Sequence, residues 1–278
     1  MRMLLPALFC GVICAASGTL AIEHASVHSE EDGVDVPIGY HFHPGDIVYF
    51  NFRISGYQRK DEGDDTRVRL SWRIAVNDPN GVPLVASSDG KADTLVTSED
   101  KHWMPVGRSS LEVPPFAPSG QYKILLNVQD ELGGNDVTTE VRFLVAGHDV
   151  APSGTLTIRN FRFLRSEDDS EPLEVAAYRP GETLWARFDM TGYKLDAGNR
   201  FSIEYGVKVL KQDGSTAYEQ PEAANAEDSA FYPQRWVPGV FSLNIPRDLK
   251  KGQYTLVVKV LDKCGGQAFE ASQKFSVE

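Results

Sequence analysis

The chain of 278 residues carries a formal net charge of −11, with 41% hydrophobic and 24% charged residues. This composition is that of a folded protein rather than a disordered one, and the length is typical of two domains. The excess of acidic residues argues against nucleic acid as a partner, because nucleic-acid binding depends on clustered Lys and Arg against phosphate.

The N-terminal segment has the features of a secretory signal peptide. Arg2 supplies a positive charge, residues 4–13 are mostly apolar, and small residues follow at Ala15 and Ala16. The apolar stretch is short for a membrane span, and no later apolar run is long enough to cross a bilayer. We predict a signal peptide over residues 1–17, no membrane span, and an exported protein that is periplasmic or extracellular.

The cysteines indicate that the mature chain has no internal disulfide. Of the 3 cysteines, Cys10 and Cys14 lie in the predicted signal peptide, so Cys264 is the single thiol that follows it. Cys264 and Gln267 form a Cys-Gly-Gly-Gln sequence that resembles the thioester motif of macroglobulin and complement proteins. The corresponding residues 132–135 are Leu-Gly-Gly-Asn and hold neither group. We therefore expect a hairpin turn with a plain, partly buried thiol.

An internal repeat divides the chain into two halves. Short motifs recur in the same order in both halves, namely residues 17–22 with 153–158, 44–46 with 180–182, 120–122 with 252–254, and 133–134 with 265–266. The repeat predicts a first domain over residues 18–146, a linker over 147–152 and a second domain over 153–278. Pro152 stiffens the short linker, so we expect the two domains to keep a restricted relative orientation.

Alternating apolar and polar residues indicate β-strands throughout both halves. A strand of each half carries its apolar residues on one face, namely Val68, Leu70, Trp72, Ile74 and Val76, matched by Phe201, Ile203, Tyr205, Val207 and Val209. Pro-Gly and Gly-Gly pairs predict tight turns between strands. About seven short strands per half predict an all-β chain of two β-sandwiches. Residues 219–228 are the one locally helix-friendly stretch.

Several features resemble the immunoglobulin-like superfold. Each half has an aromatic residue on a middle strand, Trp72 and Tyr205, and a Gly-x-Tyr motif opening a late strand, with Tyr122 and Tyr254 placed as in a tyrosine corner. The Pro-Gly-acid turn and the Gly-x-Tyr…Asp…Gly-Gly hairpin also resemble macroglobulin-type and other bacterial Ig-like modules. The resemblance implies two tandem Ig-like β-sandwich domains after the signal peptide, and it carries no function.

Histidines concentrate in the first half and suggest a metal site there. All 6 histidines lie at or before residue 148. On a strand, His41 and His43 would face the same side, and neutral imidazole suits copper or zinc. His24, His41 and His43 are therefore candidate metal ligands, with exposed, solvated histidines as the alternative. Acidic runs at residues 61–65 and 167–171 match no EF-hand spacing, so we expect solvated loops there and no bound cofactor.

Two sets of outward side chains are candidate ligand contacts. Arg67, Arg69 and Arg73 share the outer face of one strand and would suit an anionic ligand such as an acidic glycan; the alternative is pairing with carboxylates of a neighbouring strand. Tyr49 and Trp185 hold equivalent outward positions and would suit sugar stacking or protein contact. The alternative for these aromatics is packing against the partner domain or under a loop.

The sequence favours a binding or scaffold role over catalysis. It contains no Gly-x-Ser-x-Gly, His-Glu-x-x-His, phosphate-binding glycine loop or Cys-x-x-Cys motif, so we expect no enzyme. The leading hypothesis is an exported protein that recognises a protein or glycan through two long polar connections, residues 87–102 and 215–234, interpreted as loops at the sandwich ends. The alternatives are a copper- or zinc-binding protein and a hydrolase with a site between the domains.

Overall fold

The structure is a computed structural model that describes residues 18–97, 99–100 and 102–278. The signal peptide predicted over residues 1–17 lies outside the described residues. Within these ranges the chain is all-β, with a single-turn 3-10 helix at Ala197–Asn199. The predicted fold class is confirmed, because the strands form two tandem Ig-like β-sandwiches, each made of a three-stranded sheet and a larger one.

The first sandwich packs the sheet β1-β3-β7 against the sheet β2-β9-β8-β5, to which β6 and the short β4 are added along β5. Its strands are β1 (Ala21–His28), β2 (His41–Phe42), β3 (Ile47–Ser55), β4 (Lys60–Glu62), β5 (Asp65–Asn77), β6 (Ser88–Thr97), β7 (Val106–Glu112), β8 (Gly120–Asp130) and β9 (Asn135–Val145). All pairings are antiparallel except that of β2 with β9.

The second sandwich repeats this arrangement with the sheets β10-β12-β15 and β11-β17-β16-β13-β14. Its strands are β10 (Thr157–Leu164), β11 (Ala177–Tyr178), β12 (Thr183–Thr191), β13 (Phe201–Lys211), β14 (Thr216–Asp228), β15 (Trp236–Asn244), β16 (Gly252–Asp262) and β17 (Gln267–Val277). In the described part of the chain, no strand of one sandwich pairs with a strand of the other. The domain boundaries at residues 146 and 153 stay a prediction.

The core of each sandwich uses the same close contact between an aromatic ring and a glycine. The ring of Phe52 lies on Gly107 of the neighbouring strand, where a Cβ atom would be 2.0 Å from the ring. Phe188 lies on Gly239 in the same way, with 2.1 Å for the corresponding contact. Phe52 also meets the ring of Trp72 edge-on, as the sequence pattern predicted for that inward residue. The two repeats therefore share a specific contact of an aromatic ring with a glycine, and not only the apolar character of these positions.

Both predicted tyrosine corners form. The hydroxyl of Tyr122 donates to the carbonyl of Pro118 at 2.8 Å, and that of Tyr254 donates to the carbonyl of Lys250 at 2.6 Å. The two phenol rings are buried in their cores. Each bond ties the start of a late strand to the connection before it, as in other Ig-like sandwiches.

A buried carboxylate organises the Gly-Gly hairpin of each repeat. Asp130 accepts hydrogen bonds from the backbone N–H groups of Gln58, Leu132 and Gly133. Asp262 accepts the equivalent bonds from Lys194, Cys264 and Gly265. Three backbone donors per carboxylate satisfy a group that is almost fully buried. The predicted hairpin turn is therefore confirmed, and the Asp before it is the residue that shapes it.

The two polar connections are not loops for most of their length. Residues 88–97 form β6 and residues 216–228 form β14, and each pairs along the edge of its larger sheet. Neither strand is covered on both faces, so its side chains are mostly exposed and lack the apolar alternation that identifies buried strands. Residues 219–228, the one locally helix-friendly stretch of the sequence, belong to β14. No described helix is long and apolar enough to span a membrane.

Candidate functional site

The arginines predicted on one outward face are paired with carboxylates. Arg67 contacts Glu62 and Asp93 at 2.8 and 2.7 Å, and Arg69 lies 3.4 Å from Asp93. The hydrogen bond from Arg67 lowers the pKa of both carboxyl groups. Arg67 and Arg69 therefore form a neutralised ladder across β4, β5 and β6, which is the predicted alternative to an anionic ligand.

Arg73 forms a two-bond pair with Asp89 of β6. Its Nε and Nη2 atoms donate to the two carboxylate oxygens at 2.7 and 3.2 Å. The hydrogen bond raises the pKa of Arg73 and lowers that of Asp89. Both side chains are exposed and border a shallow polar groove of about 580 Å³ on the outer face of the larger sheet.

The predicted outward aromatics Tyr49 and Trp185 lie on the outer faces of the two three-stranded sheets. Both are half-buried. Tyr49 stands opposite His28 and Ser110, and Trp185 stands opposite Leu164 and Ser242. They belong to different sandwiches, so they do not combine into one stacking platform.

The histidines proposed as metal ligands occupy separate places. His41 is exposed on β2, and the exposed His43 follows it, with its Nδ1 atom 3.6 Å from the carboxylate of Asp46. His24 lies at a bulge in β1 in a left-handed conformation, with φ of 48°. Among the described residues, no group of three or more His, Cys, Asp or Glu side chains is placed to hold a metal ion. The geometry does not support the copper or zinc alternative at these residues.

A direct contact between the sandwiches gives the chain its most specific feature, here called the joint. Tyr232, from the segment between β14 and β15, is buried and belongs to the core cluster of the first sandwich. Its hydroxyl donates to Asp78 Oδ2 at 2.9 Å. Burial raises the pKa of Tyr232, and the nearby Tyr122 and Asp78 act in the same direction. A phenol of the second repeat thus completes the packing of the first.

Hydrogen bonds within its own turn fix the side chain of Asp78 in the position for this contact. The residue is 2% exposed, and its Oδ1 atom accepts backbone hydrogen bonds from Asn80 and Val82, both at 2.8 Å. Oδ2 remains for the hydroxyl of Tyr232. Both carboxylate oxygens have hydrogen-bond partners, as buried polar groups require. Without Tyr232, a buried oxygen of Asp78 would lose its partner.

Aromatic contacts extend the joint at the linker. Trp236 meets Phe116 of the first sandwich edge-on, with ring centroids 5.2 Å apart, and the linker residue His148 lies 4.7 Å from the same indole. His148 Nε2 lies 2.8 Å from Asp189 Oδ2, which also accepts a bond from the side chain of Asn160 at 2.7 Å. The linker is therefore fastened to the second sandwich while Trp236 contacts the first.

The joint does not resemble a hydrolase site in its contacts. His148 and Asp189 form an acid–base pair, but no hydroxyl or thiol of the described residues hydrogen-bonds the other ring nitrogen of His148. Asp189 is 4% exposed and is shared with Asn160. The pair thus holds the linker against the second sandwich. Among the described residues, no nucleophile is placed beside the imidazole of His148.

The residues of the joint are not repeated, so the repeat pattern could not reveal them. Lys211 and Asp248 hold the places of Asp78 and Phe116 in the second sandwich, as strand register and the offset between the repeats show. Tyr232 lies in the connection between β14 and β15, and the register of the following strands places Asp100 at its position in the first sandwich. The one available signal was Phe-Tyr-Pro at residues 231–233, a bulky apolar run inside a connection that was interpreted as polar.

Cys264 and Gln267 are occupied by local contacts. Cys264 is half-buried, and desolvation raises the pKa of its thiol, with a hydrogen bond to Asp196 adding to the effect. The Gln267 amide accepts a bond from the N–H of Leu156 at 2.9 Å and donates to Asp262 at 3.2 Å. These bonds tie β17 to the segment before β10, which gives Gln267 a structural role.

A groove of about 630 Å³, here called the β14 groove, lies on the outer face of the larger sheet of the second sandwich. Its floor includes Gly206 and Val257, and its rim includes Lys259, Glu222 and Glu270. The ladder between β13 and β14 shifts register beside Gly206. The carbonyl of Pro221 approaches so closely there that a Cβ atom on Gly206 would be 2.0 Å from it. The bulge of β14 thus shapes one wall of the groove.

Comparisons with known proteins give no assignment. No family model matches the chain, and no curated protein matches it. Among solved structures, the C-terminal domain of the Streptococcus pyogenes antigen I/II-family protein AspA is similar at 8% identity and a TM-score of 0.32, over 94% of this chain and 99% of that one. The Pseudomonas fluorescens alkylpurine DNA glycosylase AlkC, bound to DNA containing an abasic site analog, is similar at 15% identity and a TM-score of 0.30. That match covers 45% of this chain and 31% of the glycosylase. Both TM-scores are too low to bear on function.

Proposed function

We propose that the chain is an exported, non-enzymatic binding module whose two sandwiches form one platform for a protein or glycan partner. The joint is the observation that carries this proposal. A flexible tandem would leave Tyr232 and Trp236 in solvent, whereas here a buried hydrogen bond and the contact of Trp236 with Phe116 link the sandwiches. A fixed orientation reduces the entropy lost when a partner contacts both sandwiches at once.

The β14 groove is the proposed contact surface of this platform. It combines an apolar floor with charged side chains of both signs, an arrangement that suits a partner with mixed polar and apolar groups. Lys208 and Glu219 are paired across β13 and β14 at 3.0 Å, so part of the rim is fixed before binding. The first sandwich has the groove of about 580 Å³ at the equivalent position. Rigid sheets rather than sandwich-end loops would then carry recognition.

Site-specific photo-crosslinking in the producing cells tests this proposal. A crosslinking residue at Lys259 reports on the β14 groove, and one at Val240, exposed on the opposite sheet of the same sandwich, is the matched control. We expect discrete adducts at Lys259 and none at Val240. Protease and periodate treatment of the adduct then distinguishes a protein partner from a glycan. No adduct at Lys259, or equal labelling at both positions, would contradict the proposal.

A further inference from the structure

A polar cavity of about 420 Å³ lies on the outer face of the three-stranded sheet of the first sandwich. Strands β1, β3 and β7 form its base, and the connection after β1 forms one side. The polar side chains on its base include His28, Ser26, Asn51, Arg53 and Arg108. It is separate from the joint and from the β14 groove, and it shares no lining residue with the groove.

His28 is the unusual member of this cavity. Its side chain is 6% exposed, and its Nδ1 atom is buried without a hydrogen-bond partner. The carboxylate of Asp35 is 3.7 Å from Nδ1, too far for a hydrogen bond. Nε2 lies 3.2 Å from the hydroxyl of Ser26. One side of a buried imidazole therefore lacks the partner that such groups normally have.

The second repeat shows that the fold does not need a histidine here. Strand register places Leu164 at the position of His28, and Leu164 is fully buried. An imidazole in place of a buried leucine costs free energy of desolvation unless its nitrogens are paired. Since Leu164 fills this position in the second sandwich, the sandwich does not need His28 for its stability. A buried polar residue that the fold does not need is typical of a functional position.

The cationic groups around His28 define the chemistry of the cavity. Arg108 pairs with Asp32 at 3.0 Å. Arg53 makes no ion pair with any described residue, although the chain as a whole is acidic. The equivalents of Arg53 and Arg108 in the second sandwich are Asp189 and Val240. Arg162 and Arg187 of the second sandwich stand instead at the positions of Ser26 and Asn51, so the two repeats place their arginines differently on this face.

We propose that this cavity binds a small oxyanion, a carboxylate or phosphate group, through Arg53, His28 and the neighbouring Ser26 and Asn51. Guanidinium and imidazole N–H donors are the groups that proteins use for such anions. Asp32 is already paired with Arg108, and Asp35 is 74% exposed at the edge of the cavity. The bound oxyanion supplies the partner that buried His28 lacks. This site goes beyond the platform function and is independent of it.

Titration of the full mature chain with inorganic phosphate and, in parallel, acetate tests the proposal, with chloride at matched ionic strength as the control. The His28 ring resonances are followed by NMR. We expect a saturable shift of these resonances with phosphate or acetate and none with chloride, and weaker binding by about tenfold or more in Arg53→Gln. Arg142→Gln, an exposed arginine elsewhere in the same sandwich, should bind as the parent does.

The His28→Leu variant distinguishes a ligand-binding role of His28 from a role in stabilising the fold. The substitution installs the residue of the second repeat, so we expect the protein to fold, its melting temperature to rise by roughly 2–4 °C, and oxyanion binding to be lost. A fall in melting temperature would show that His28 stabilises the fold through Asp35 or an ordered water, and would contradict the proposal. Unchanged His28 resonances with both anions in the parent protein would also overturn it.

Discussion

The two sandwiches share their interior contacts and differ at their surfaces. The Phe52 ring on Gly107 is matched by Phe188 on Gly239, and the tyrosine corners and hairpin carboxylates are matched as well. By contrast, Asp78, Phe116 and His28 are replaced by Lys211, Asp248 and Leu164. Shared positions hold each sandwich together, whereas the differing positions build the joint and the candidate anion site.

The repeat offers an internal control that single domains lack. Where the two repeats differ at equivalent positions, one sandwich carries the feature and the other does not. The sandwich without the feature shows that the fold forms in its absence. Substitutions at shared positions should therefore harm both sandwiches alike, and substitutions at differing positions should have local and separable effects.

The largest effect is expected from removing the shared aromatic rings. Phe52→Ala and Phe188→Ala should each lower the free energy of unfolding by about 3–5 kcal/mol, because both rings are fully buried and leave a cavity over a glycine. Urea denaturation followed by fluorescence measures the loss. A large loss at one position with almost none at the other would show that the two cores are not equivalent.

An intermediate effect is expected at the joint. Tyr232→Phe removes the hydrogen bond to Asp78 and leaves a buried carboxylate oxygen without a partner, so the free energy of unfolding should fall by about 1–3 kcal/mol. Tyr218→Phe is the matched control, since its hydroxyl contacts Gln220 on the exposed strand β14. Equal losses of unfolding free energy in the two variants would show that the hydrogen bond of Tyr232 contributes no more than an exposed one.

The same hydroxyl predicts a dependence on alkaline pH. Burial raises the pKa of Tyr232 in the folded state, whereas an unfolded tyrosine ionises at about pH 10. The stabilising contribution is complete below about pH 10 and is lost as pH rises from there toward the folded pKa. Burial also raises the pKa of Tyr122 and Tyr193, so the parent protein should lose stability above this pH. Tyr232→Phe should lose less between about pH 9 and 11 in urea denaturation; an identical slope would contradict the assignment.

The smallest effect is expected at the exposed pair of Arg73 with Asp89. Arg73→Ala should leave the melting temperature unchanged within error, because the pair with Asp89 is exposed and screened by salt. Gly206 at the equivalent position of the second sandwich shows that the sheet forms without this pair. Thermal denaturation at low and high salt checks this. A clear destabilisation at both would mean that the outer face contributes more than its exposure suggests.

Features that depend on neighbouring residues were predictable from the sequence. Alternation identified the buried strands, the Pro-Gly and Gly-Gly pairs identified the turns, and the resemblance to Ig-like domains identified the tyrosine corners. Prediction failed for features that depend on contacts between residues distant in the sequence. Strands β6 and β14 lie at sheet edges and bury little, so their sequences look like loops. Tyr232 is buried by the other sandwich, and the need for an apolar or paired residue at position 28 becomes visible only through Leu164.

The central claim is that the two sandwiches form one rigid unit through the joint. Residual dipolar couplings measured on the mature chain and on Tyr232→Ala test this most directly. We expect one alignment tensor to fit the amides of both sandwiches in the parent protein, and two tensors of different magnitude in the variant. Two independent tensors in the parent protein would contradict the claim, because they would show that the sandwiches reorient despite the contacts of Tyr232 and Trp236.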